Sequence, residues 1–169
     1  MSILKCRTSF VTNSSSSSFI LAFEDQKDLD DFYLFCGWCD YEDFRDLVKS
    51  LMKDKENLDK EKALEFLKLV YSREYKFEVL DEKFGTEFSI ERWKQRAEYE
   101  KSEEMNLLIE EHLKDNEEYQ EKKKKIEDAE IVVQGMIWDT SGGLLEWSIR
   151  NGFIEDNFYS NCVIRYNVG

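Results

Sequence analysis

Proline is absent from all 169 residues. The chain therefore has no rigid proline linker, and its helices can run without a proline break. Histidine occurs once, as His112, so acid–base chemistry would fall to carboxylates, and no Ser/His/Asp arrangement is signalled. No P-loop or dinucleotide-binding glycine pattern occurs. No segment approaches the roughly 20 apolar residues that a membrane span requires. The stretch Met1 to Leu21 has Lys5 and Arg7 but then enters a serine tract, unlike the continuous apolar core of a secretory signal. Basic charge is also short, with 24 Lys and Arg against 37 Asp and Glu and a net charge of −13. Phosphate backbones repel such a chain, which disfavours direct nucleic-acid binding. The expectation is a non-membrane, cytoplasmic protein whose four cysteines are reduced thiols.

Apolar residues make up 41% and aromatics 14%, enough for one packed core. The pattern predicts an α+β fold in a single domain spanning residues 1–169: one small mixed sheet joins N- and C-terminal strands beneath a helical layer. Residues 1–18 read as an irregular, serine-rich lead-in, followed by a doubly buried strand, Phe19 to Phe23. Leu29, Phe32, Tyr33 and Cys36 then recur at helical spacing after an N-cap at Asp25 or Asp28, and Gly37 interrupts. A second helix carries Phe44, Leu47, Val48, Leu51 and Met52. A third starts near Asp59 and turns Ala63, Phe66, Leu67, Val70 and Tyr71 inward. Tyr75 to Leu80 alternates weakly, as a short strand does. Ser89 caps a long charged helix over 89–128 that packs in part or projects into solvent, with room for a break near Asn116. The end of the chain reads as a strand from Ile131 to Trp138, a turn at Asp139 to Gly143, a short helix from Leu144 to Asn151 closed by Gly152, and a strand from Cys162 to Val168.

Cys36 and Cys39 form a C-x-x-C pair. A redox dithiol needs its first thiol at a helix N-terminus, whereas this pair falls at a helix end among Asp31, Asp40, Glu42 and Asp43, a field that opposes the thiolate. A metal site would need Cys6 and Cys162 as further ligands, and the second close-spaced pair usual for zinc is missing. The alternative is that these cysteines are small buried apolar side chains. His112 beside Leu113 suits a satisfied boundary position, and Thr140 to Gly143 suits either an N-cap turn or a weak anion cradle. Lys122 to Lys125 covers every helix face and reads as a solvated helix end.

Acidity is concentrated early. Between Glu24 and Asp46 nine acids face only Lys27 and Arg45, leaving −7, and aromatics from Phe32 to Phe44 are interleaved. Two amphipathic helices with every aromatic turned inward would satisfy this pattern. So would an interface that anchors aromatics in a basic groove and steers with carboxylates. The second reading selects Asp28, Asp31, Trp38, Asp40, Tyr41, Asp43 and Asp46 as partner-binding residues.

The segment Lys5-Cys-Arg-Thr-Ser-Phe-Val-Thr-Asn-Ser-Ser-Ser-Ser-Ser-Phe-Ile20 resembles the start shared by small, mostly uncharacterised bacterial and phage proteins, K-x-R-x-G-F-V-S-N-S-S-S-S-S-F followed by a strand. It departs at Ser9, where that pattern has Gly, and at Thr12, where it has Ser. The resemblance implies a phage or mobile-element context and brings no activity or catalytic residue. The expectation is a non-enzymatic, cofactor-free binding module that docks on a basic host protein or ribonucleoprotein. A concrete version is an inhibitor of a nucleic-acid-guided defence complex of the CRISPR kind. A metal- or thiol-dependent protein built on Cys36 and Cys39, with Cys6 and Cys162 completing a site, is the alternative; an uncharacterised structural domain is another.

Overall fold

A computed structural model describes residues 16–38, 42–85, 89–138 and 162–168, with side chains at 18–38, 42–85 and 89–135. In order, the described elements are β1 (Ser16–Phe23), α1 (Gln26–Trp38), α2 (Glu42–Leu51), a 3-10 turn (Lys55–Leu58), α3 (Lys60–Phe84), α4 (Ile90–Tyr99), α5 (Glu103–Asp115), α6 (Glu117–Asp128), β2 (Ile131–Trp138) and β3 (Cys162–Val168). The protein is α+β, as its pattern predicts. Its residues divide into two compact units, Met1–Ala63 with Lys124–Gly169, and Leu64–Lys123.

The sheet belongs to the first unit. Its strand order is β2-β1-β3, and β1 pairs antiparallel with both neighbours. The described strands therefore form an antiparallel sheet in place of the expected mixed one. β1 is central because it is apolar on both faces: Phe19, Leu21 and Phe23 point one way, Ile20 and Ala22 the other, and all five are buried. The strand begins at Ser16, earlier than Phe19, since Ser16 to Ser18 find ladder partners on both sides, Ser16 opposite Trp138 and Val168. Part of the serine tract is thus sheet, and Ser18 is buried. The pairing with β3 shifts register between Ile20 and Leu21.

Helices α1 and α2 cover the Phe19/Leu21/Phe23 face. Leu29, Phe32 and Cys36 from α1 and Phe44 and Val48 from α2 join these residues and Val133 in one buried cluster. Phe32 meets Phe23 edge-on at 5.3 Å and Phe44 at 5.8 Å, while Phe19 meets Phe44 at 5.5 Å. Such contacts each add about 0.5–1.5 kcal/mol to burial. Asp25 is the N-cap of α1: it accepts from the Asp28 N–H at 2.8 Å, while the Asp28 carboxylate accepts from the Glu24 N–H at 3.1 Å. Gly37 does not interrupt α1, which runs on to Trp38. At β2, Gly135 lies opposite Phe19. A Cβ there would sit 2.7 Å from Phe19 Cζ and closer still to Leu51, so the absence of a side chain lets the strand, the ring and α2 come together.

The second unit is helical. Helix α3 starts beside Asp59, as expected, with the Asp59 carboxylate accepting from the Glu61 N–H at 2.9 Å, but Tyr75 to Leu80 is helix and not strand. There the stripe that includes Leu67, Val70, Tyr71 and Leu80 stays buried, and packing overrides a weak local β preference. Gly85 ends α3 with φ +67°, its N–H donating to the Asp81 carbonyl at 2.9 Å. The single helix expected over 89–128 is three helices. Ser89 does cap the first of them, accepting from the Arg92 N–H at 3.1 Å. Ser102 then accepts from the Met105 N–H at 3.1 Å, and Asn116 Oδ1 accepts from the Tyr119 N–H at 2.8 Å. Each side chain takes an N–H that a continuous helix would bond internally, so each starts a new helix. On α5, Met105, Ile109 and Leu113 form the buried stripe. Arg96 of α4 reaches Asp81 of α3 at 2.6 Å, with both side chains mostly buried.

Candidate functional site

Packing sorts the acidic, aromatic stretch from Glu24 to Asp46. Phe32 and Phe44 go fully into the core and Tyr33 and Phe35 partly, as two amphipathic helices demand. Trp38 does the opposite, with 86% of its surface exposed, and Leu34 one turn earlier is 61% exposed. Because α1 spends positions 29, 32 and 36 on the core, residues 30, 31, 34 and 38 share the outer face. That face reads Asp30, Asp31, Leu34 and Trp38, two carboxylates followed by two large uncovered apolar groups.

The expected partner-binding residues separate accordingly. Asp31 and Trp38 share this face, and Asp31 holds Lys27 at 2.6 Å in an exposed pair that costs little to break. The Lys27 ammonium is pushed up, first by its hydrogen bond to Asp31 and then by that carboxylate's charge. Asp28 is committed to capping α1. Asp43 and Asp46 lie exposed on α2, Asp46 beside Arg45 at 3.4 Å. Asp40 and Tyr41 lie outside the described residues. Leu34 and Asp30 were not selected from sequence, although the inward stripe at 29, 32, 33 and 36 already leaves both off the core.

Across families of proteins, curated proteins and solved structures, the chain matches none. The arrangement of its own side chains is then what bears on function.

Cys36 is fully buried in the cluster between α1 and the sheet, the setting of an apolar side chain. Cys6 and Cys39 lie outside the described residues, and Cys162 lies on β3. The turn and helix expected over 139–152 also fall outside. Among the described residues no group of three or more His, Cys, Asp or Glu is placed to hold a metal, and no helix is long and apolar enough to cross a membrane. His112 stacks flat on Tyr75 at 3.9 Å and meets Asn116 Nδ2 at 3.3 Å, a partnered boundary residue.

A second polar cluster joins α3 to α6 within the helical unit. Lys122 bonds Glu118 at 2.7 Å, and both groups hydrogen-bond the Tyr71 hydroxyl. Burial pushes the Tyr71 phenol up to about 12. Burial also opposes the Lys122 charge, but its bonds to Glu118 and Tyr71 outweigh that and raise it. Burial, then the Glu118 and Glu78 carboxylates, raise Glu74. Lys122 is therefore engaged in structure, unlike the solvated helix end expected there, while Lys124 and Lys125 are exposed.

Proposed function

We propose that the protein is a binding module that docks the outer face of α1 onto a basic protein surface. The observation that carries this reading is the exposure of Trp38 and Leu34 beside Asp30 and Asp31. Leaving an indole in water forgoes about 1.5–3 kcal/mol of burial, and aromatic anchors ringed by acids are how a steered interface gains both affinity and on-rate. The local charge of −7 between Glu24 and Asp46 makes a cationic partner the complementary one. Phosphate-binding grooves of nucleic-acid-handling proteins are surfaces of that chemistry, which supports the inhibitor version as its most specific form.

The test is capture of partners from nuclease-treated lysate of the native host, with purified protein, Trp38→Ala, Leu34→Asp, and the double reversal Asp30→Lys with Asp31→Lys. A stoichiometric basic protein held by the wild type should lose affinity by at least about tenfold in each variant, a loss of about 1.4 kcal/mol or more. All four changes are at exposed positions, so each variant should keep the wild-type circular dichroism. Equal binding by the folded variants removes this face from consideration.

A further inference from the structure

Within the helical unit a cavity of about 550 Å³ lies beside α3 and α5. Ile109 and Phe77 line it with buried or half-buried apolar surface, and Leu69 adds an apolar wall that is 57% exposed. Its cations are Lys68, Arg73 and Lys76 of α3. They share its lining because positions 68, 69, 72, 73, 76 and 77 recur along one side of a helix. Lys76 already faces Glu100 at 3.7 Å. Among the described residues neither Lys68 nor Arg73 is held in an ion pair, and of the lining acids only Glu110 remains to offset them. The lining thus holds three cations against two acids, a surplus of one positive charge over its apolar floor, in a chain of net −13.

We infer that this cavity binds a small amphipathic anion. Its apolar body lies against Leu69, Phe77 and Ile109, and its carboxylate, or a similar oxyanion, meets Lys68 and Arg73. The planar guanidinium of Arg73 offers two parallel donors to such a group, and Ser72 and Asn106 supply neutral hydrogen-bonding groups in the same lining. The volume falls within the roughly 300–1,000 Å³ usual for small-molecule sites. This site is separate from the α1 face and stands whether or not that face binds a partner.

The test is isothermal titration of the full chain with decanoate below its micellar concentration, compared with decyltrimethylammonium, which carries the same chain and the opposite charge. One saturable decanoate site is expected, with the cationic amphiphile at least about tenfold weaker. Arg73→Glu and Lys68→Glu should each weaken decanoate by a similar factor, while Lys53→Glu, an exposed change outside the cavity, should leave it unchanged. Amide shifts in the wild type should cluster at Ser72, Lys76 and Asn106, a readout that needs no variant. Equal affinity for both amphiphiles, shifts centred elsewhere, non-saturable uptake, or full decanoate affinity in folded Arg73→Glu overturns the inference.

Discussion

At the scale of single residues, two positions test the packing directly. Gly135 has no room for a methyl group against Phe19 and Leu51. Leu51 is half-buried and can yield, but Phe19 is 2% exposed and set edge-on to Phe44. Gly135→Ala should therefore lose about 1–3 kcal/mol, read as a lower urea midpoint with unchanged slope. A stabilised variant would mean that β2 does not approach the ring this closely. Tyr71 tests the electrostatics. Its folded phenol titrates at about 12 against 10.0 for the ordinary group, so the folded chain holds that proton more tightly than the unfolded one. The stability this provides is complete below pH 10 and is lost as the pH rises through 12. Absorbance titration should show a late phenol that disappears in Tyr71→Phe, and the mutant should lose less stability than the wild type across that alkaline window.

At the scale of elements, the caps decide how the charged stretch from Ser89 to Asp128 is cut into helices. Within one long helix, Ser102→Ala would stabilise, since alanine is the better interior residue. As the cap of α5, Ser102 should instead cost about 1 kcal/mol on replacement by alanine. The sign of the change in thermal midpoint separates the two arrangements. Leu34 and Trp38 make the converse point on α1: they are large and apolar yet touch little of the core, so changing them should move binding and leave stability within about 0.5 kcal/mol.

For the whole molecule, the net charge of −13 dominates the response to salt. Its exposed pairs, such as Lys27–Asp31 and Lys62–Glu56, contribute little and are screened together with the repulsion. The Arg96–Asp81 pair is mostly buried and is screened much less. Raising salt from about 0.01 to 0.1 M shortens the screening length from about 30 to 10 Å, so the urea midpoint should rise. A falling midpoint would show that surface pairing outweighs self-repulsion.

Much of the architecture was legible in the residues themselves. The apolar run Phe19 to Phe23, the strands at 131–138 and 162–168, and the stripes Leu29/Phe32/Cys36 and Phe44/Val48 each carry their periodicity locally, and burial follows it in the run and in both stripes. Ser89 was legible as a cap, and Asp59 as the neighbourhood of a helix start, because a short polar side chain before a helical pattern has few other uses there. Tyr75 to Leu80 was not, because a six-residue alternation competes with a helix whose hydrogen bonds and buried stripe extend on both sides. The break at Ser102 was hidden as well, since a serine in a polar run gives no sign of whether its hydroxyl turns back to a backbone N–H. Of the candidate face, Asp31 and Trp38 were named from sequence and Asp30 and Leu34 were not. That Asp28 is spent on a cap while Leu34 faces water depends on how α1 is rotated on the sheet, and that rotation is set by the packing of Phe32 against Phe23 and Phe44.

Sequence by itself determined the class, the places of the three described strands and the concentration of charge, because composition and short-range periodicity carry those properties. Tertiary structure alone decided the central place of β1, the close approach at Gly135, and the meeting of Lys68 and Arg73 with Ile109. Each of these joins residues far apart in the chain, and the burial of apolar side chains such as Phe19, Val133 and Ile109 is what draws such distant segments together.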